Sequence, residues 1–204
     1  MRPIALPAFV LLAGLTIVAF AQAPPSAPPT FVRGAVVTFD GHTLTVKSRD
    51  GGPVTVALAP NFTVRGVVTE KLNDIKPGDK VGITSVGGAN SSRQALEIHI
   101  FSPKMTNVAV RELPWDLRPG SLMTNAIVAQ VVTAPEGRSI RVTLNGKERE
   151  IMVPPDTPIV AYAPGDPSLL KPGAAVFVIA RKGPDGSLTS ASVTAEKDGV
   201  KPPM

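Results

Sequence analysis

The 204-residue chain contains no cysteine. Disulfides, thiolate metal sites and thiol nucleophiles are therefore excluded, and the fold must be held by core burial alone. Aromatic residues make up only 4%, with a single Trp and a single Tyr. Stretches with apolar residues at helical spacing are nearly absent, which argues against an α-helical protein. Lys and Arg are scattered without a run, although the net charge is +5. A scattered basic surface with few aromatics does not suit a nucleic-acid partner.

Recognisable chemistry is equally scarce. There is no Gly-x-Ser-x-Gly elbow, phosphate loop or dinucleotide fingerprint, so no catalytic residue and no cofactor is expected. The two histidines, His42 in a turn and His99 on an outer strand face, have no neighbour at metal-ligand spacing. Met105, Met123 and Met152 do not cluster in sequence. Asp40, Asp50, Asp74 and Asp79 fall in turns, where Asp usually bonds to backbone amides. No metal site is expected.

What the chain does have is a 43% apolar fraction, mostly Val, Ile, Leu and Ala, with Gly 18 and Pro 22 placed between the apolar runs. That pattern predicts many short strands joined by turns. The first 21 residues read as an export signal. Arg2 is followed by an uncharged apolar run, Ile4 to Phe20, and by the small-x-small site Ala19-Phe20-Ala21. Cleavage there implies a periplasmic or secreted protein; an uncleaved segment would make it a membrane anchor. Residues 22–30, rich in Pro and Ala, read as a tether.

A repeat organises the rest. Ile75-Lys76-Pro77-Gly78 returns as Leu170-Lys171-Pro172-Gly173, an offset of 95 residues (170 − 75), and the same offset carries Val36-Val37-Thr38 onto Val131-Val132-Thr133. Thr43 to Lys47 alternates, as do Leu96, Ile98 and Ile100, which leaves Glu97 and His99 facing outward. Asn145-Gly146 is a strong hairpin signal. The predicted order in each copy is three strands, an irregular crossover (Pro60 to Lys76; Pro154 to Leu170) and two more strands. It predicts an all-β fold of two tandem OB-like five-stranded barrels, residues 31–102 and 124–197. An SH3-like barrel or a small sandwich is the alternative in each. Pro-Gly would end each crossover, and residues 198–204 would form a disordered tail.

These residues resemble a known family. Gly34-x-Val36, Asp40-Gly41, Thr43-Leu44-Thr45-Val46, Ile75-Lys76-Pro77-Gly78 and Ala95-Leu96-Glu97-Ile98 are similar to the domain of unknown function 5666 family, and Pro114-Trp115-Asp116-Leu117 resembles a longer subgroup. The resemblance implies small secreted bacterial β-modules, usually in tandem. Relatives are often labelled metal transporter permeases, but one apolar segment does not make a permease.

The unshared linker, residues 103–123, carries the single Trp. A large ring in a Pro-rich linker either docks between modules or forms a ligand platform, and docking is favoured because exposure is unfavourable. Trp115, Asp116 and Arg118 are the candidate contact residues. The expected role is non-enzymatic binding or scaffolding of an envelope protein, glycan or small ligand, with no nucleic acid. Metal handling outside the membrane is the alternative, and an envelope hydrolase the third reading.

Overall fold

A computed structural model describes residues 28–87, 92–134 and 137–203. The predicted signal, residues 1–21, and most of the tether lie outside the described residues. The chain is all-β. Its strands are β1 (Thr30–Phe39), β2 (Thr43–Ser48), β3 (Pro53–Thr69), β4 (Lys80–Gly87), β5 (Arg93–Ile100), β6 (Arg111–Pro114), β7 (Leu122–Ala134), β8 (Gly137–Leu144), β9 (Lys147–Met152), β10 (Ile159–Pro164), β11 (Ala175–Lys182) and β12 (Leu188–Ala195). Short 3-10 turns occupy Leu72–Asp74 and Pro167–Leu169.

Local structure follows the sequence closely. Leu44 lies opposite Val56, and Val46 opposite Val54, across β2 and β3. The β8–β9 turn places Asn145 at φ +51 and Gly146 at φ +74, the two positive values that a tight hairpin turn needs. Gly78 and Gly173, the glycines of the two Lys-Pro-Gly copies, have φ +93 and +86, so both turns require the left-handed region.

The larger connectivity differs from expectation. β1 pairs with β2 and β2 with β3, but β1 then pairs with β11, β11 with β12, and β12 runs parallel to β3 and closes the ring. This closed five-stranded barrel takes three strands from the first repeat and two from the second. The remaining strands make the reciprocal set. β7, β8 and β9 come from the second repeat, while β4 and β5 come from the first, with β4 on β7 and a short parallel contact of Arg93 and Gln94 with Ile151 and Met152. The two apolar cores divide the same way. One joins Val32, Leu44 and Val56 to Val176, Val178 and Val193. The other joins Val81, Ile83 and Ile98 to Val128, Ile140 and Ile151. Neither 31–102 nor 124–197 closes on itself.

The cause lies in the crossovers, which are less irregular than predicted. Residues 63–69 are rich in β-branched residues, and β3 runs on through them to a length of 17 residues. Pro60 does not stop it, because the ladder to β2 ends at Ala57 and the ladder to β12 skips from Leu58 to Thr63. The chain thus overshoots its own barrel and delivers β4 to the other. In the second repeat, the predicted irregular stretch likewise holds β10. The two crossover strands pair antiparallel, with Val67 opposite Tyr162 at the middle of the ladder. These two are equivalent in the repeat (162 − 67 = 95), so the repeats meet about a local two-fold axis through this pair.

The tail is also more ordered than predicted. The Val200 amide donates to the Lys197 carbonyl, and the Lys197 amide to the Val200 carbonyl, closing a turn. Among the described residues, no helix is long and apolar enough to cross a membrane.

Candidate functional site

Exchange of strands sets the outer face of one set against the outer face of the other. On β1, Phe31 and Arg33 point away from the core residue Val32, and Arg33 lies opposite Phe177 on β11. On β5, Glu97 and His99 point away from Ile98. The sequence places Glu97 and His99 outward, and they do face out of their own core, but they do not reach solvent: Glu97 is 0% exposed and His99 2%. The closed barrel, through Arg33, and Tyr162 of the crossover ladder cover them.

This creates a buried polar chain. The Thr84 hydroxyl donates to Glu97 Oε1 at 2.6 Å. His99 Nε2 lies 3.7 Å from the same oxygen, an ion-pair distance too long for a hydrogen bond. His99 Nδ1 lies 3.3 Å from the Tyr162 hydroxyl. Burial alone would push the Glu97 carboxyl up, but the neighbouring His99, the Thr84 hydroxyl and the charge of Arg33 outweigh it and hold the carboxyl below its ordinary value. Tyr162 has no comparable compensation. Burial pushes its phenol up to about 12, against a smaller opposing effect of Arg65.

Arg33 is the second buried charge. Its side chain is 7% exposed and forms an ion pair with Asp116, in which Nη1 donates to Oδ2 at 2.8 Å and Nη2 lies 2.8 Å from Oδ1 without hydrogen-bond alignment. Its guanidinium also lies 4.8 Å from the Phe177 ring centre and 5.7 Å from that of Trp115. Trp115 packs on Phe31 at 4.3 Å between ring centres. The linker is therefore fastened twice near its middle: β6 extends the sheet at β7, and Trp115 and Asp116 dock on the β1–β11 face.

Between the two faces and this linker lies a crevice of about 350 Å³. Phe31, Phe177, Ser192 and Thr194 line it from the closed barrel. His99, Phe101, Met123 and Asn125 line it from the other set, and the crossover ladder contributes Arg65 and Tyr162. The linker adds Met105, Arg111, Leu113 and Trp115. Phe101 stacks on Tyr162 at 5.6 Å, and the Arg65 guanidinium lies 5.1 Å from the Tyr162 ring centre. Two buried polar atoms of this lining, Trp115 Nε1 and Asn125 Oδ1, have no hydrogen-bond partner within the described residues, while His99 Nε2 faces the Glu97 carboxylate. Buried polar groups are normally satisfied, so this pair is a chemical signature.

Of the sequence candidates, Trp115 lines the crevice and Asp116 anchors Arg33 from beside it, while Arg118 is exposed. The Arg118 amide and carbonyl instead bond Ser121 in the turn before β7. His42 sits exposed in the β1–β2 turn, on a different element from His99. Among the described residues, no group of three or more His, Asp or Glu could hold a metal ion. Sequence reasoning missed Arg33, Arg65 and Tyr162. A signal for the buried outer face was present: Val176-Phe177-Val178-Ile179 is apolar at every position, as in strands covered on both sides.

No protein-family model matches this chain, and no curated protein or solved structure matches it.

Proposed function

We propose that this chain is a non-enzymatic binding protein of the cell envelope, and that the crevice is its small-ligand site. The observation that carries this reading is a pair of buried polar atoms without a hydrogen-bond partner among the described residues, Trp115 Nε1 and Asn125 Oδ1, in a cavity walled largely by aromatic and other apolar side chains. Ligand sites combine apolar walls with a few convergent polar groups in this way, and about 350 Å³ lies at the small end of their usual range of roughly 300–1,000 Å³. Glu97 does not line the crevice, whereas its partner His99 does. That favours recognition over acid–base chemistry. The finer fold reading is that both strand sets are OB-type barrels. In each, the first three strands of one repeat meet the last two of the other, and the third strand runs parallel to the last. The tandem β-modules and export signal of the domain of unknown function 5666 family are part of the same proposal.

Trp115 is the single Trp and sits in the lining, so its emission reports occupancy directly. A chemically mixed fragment set is expected to yield ligands that shift both the emission and the melting temperature. A set that moves neither would remove the crevice as a binding site. The exported product is expected to begin at Gln22, and full-length protein retained in the membrane would replace export with anchoring.

A further inference from the structure

We propose that the crevice selects a planar aromatic carboxylate of one or two rings, with its carboxylate against Arg65. This rests on the reading of the crevice as a small-ligand site.

Charge is the first argument. The lining holds two arginines, Arg65 and Arg111, and no carboxylate. The contrast with Arg33 is informative, because Arg33 is neutralised by Asp116. Arg65 is half-buried, and its contacts are the Met105 sulfur at 3.9 Å and the face of Tyr162. Among the described residues, no Asp or Glu lies within ion-pair distance of it. A guanidinium fork held on an aromatic ring without an acid is a receptor for a carboxylate, which it can meet with two parallel bonds. The same charges disfavour an ammonium ligand.

Shape is the second argument. Phe101 and Tyr162 form a stacked pair on one side, and Phe31, Trp115 and Phe177 form a cluster on the other. Rings prefer offset stacking or edge contact with other rings, so a flat ligand gains more here than an aliphatic one. Trp115 Nε1 offers a further donor for an acceptor on the ligand. Arg65 also borders a second, smaller hollow of about 270 Å³ shared with Met105 and Tyr162. A carboxylate at Arg65 thus keeps part of its hydration, which lowers the desolvation cost of the pair.

The test is calorimetric titration of the full mature chain with 2-naphthoate and with its neutral isostere 2-naphthamide. The carboxylate is expected to bind at least about tenfold more tightly, the loss for one charge-assisted bond. Arg65→Met is expected to bring that ratio down to near one, and Arg65→Lys, which keeps the charge but loses the fork, to reduce it several-fold. Equal binding of acid and amide would overturn the proposal, as would an unchanged ratio in either variant. If cationic or aliphatic fragments bind and 2-naphthoate does not, the ligand class falls while the crevice stands. If no fragment binds, both fall.

Discussion

Cutting the chain between the repeats should not separate them. Pro103 and Lys104 are both exposed at a turn outside every strand, so a protease site inserted between them leaves the pairing untouched. In the closed barrel, Leu170, Val176, Val178 and Val193 come from beyond the cut, and in the other core Leu72, Ile75, Val81, Ile83 and Ile98 come from before it. At about 1.5–3 kcal/mol for each fully buried aliphatic side chain, these nine contribute roughly 14–27 kcal/mol across the cut, as an upper bound. Association costs on the order of 4–15 kcal/mol, and staying together at micromolar concentration needs about 8 kcal/mol. The middle of the first range exceeds the middle of the second by about 11 kcal/mol, more than the amount needed. After complete cleavage, shown by two bands on a denaturing gel, native mass spectrometry at about 1 µM is expected to give one species of the summed mass. Two independently folded fragments would refute the exchange and restore a tandem arrangement.

Three further outcomes follow from the geometry. Glu97→Gln is expected to lower stability at pH 7 by about 1.5–3 kcal/mol, the contribution of hydrogen bonds to a charged group. Because the folded carboxyl sits below its ordinary value of 4.5, that stability is present above about pH 4.5 and lost as pH falls through the lower folded value, so denaturant midpoints of wild type and variant should converge in acid; a constant gap would contradict the assignment. Tyr162 is the single Tyr, so absorbance at alkaline pH reads it alone: no phenolate is expected until near pH 12, and because the folded pKa is raised, the protein should lose stability above pH 10. Half-titration at pH 10 in the folded state would show that Tyr162 is not buried. A Cβ on Gly34 would lie 2.0 Å from the Lys47 carbonyl oxygen, whereas one on Gly87 would meet nothing within 4 Å. Gly34→Ala is expected to cost about 3 kcal/mol or more and Gly87→Ala much less, so similar melting temperatures for the two variants would count against the β1–β2 register.

The local grammar of this fold was legible because it is local. Alternation at Leu44 and Val46, the Asn145-Gly146 turn and the two Lys-Pro-Gly turns each depend on a few neighbouring residues, and each appears where the sequence puts it. The choice of partner for β4 is different. Nothing within β4 distinguishes the barrel behind it from the barrel ahead, since both offer the same kind of apolar face. The choice is made by the stiffness and length of β3, which depend on a ladder to β10 that begins 90 residues or more further on. Glu97 and His99 were misplaced for the same reason: their alternation was read correctly, but the surface that buries them arrives only with the exchange.

The repeat itself shows why the crevice is particular to this chain. The offset of 95 carries Glu97 to Ser192, His99 to Thr194, Arg33 to Val128 and Tyr162 back to Val67. Each of these four charged or aromatic residues therefore has a small, aliphatic or uncharged counterpart in the other copy. The cores are equivalent and keep their aliphatic character, with Val193 standing where Ile98 stands, and with partners, Val64 and Ile159, that are equivalent to each other. Two like modules meeting on a two-fold axis would make a symmetric interface with duplicate half-sites. Here, at each of these four pairs of positions, one copy carries the charge or ring and the other does not, and the linker with Trp115 is inserted only once. That asymmetry makes the chemistry of the crevice differ from what the other copy's residues would give. Its chemistry thus depends on the positions at which the repeats disagree, while the fold depends on those at which they agree.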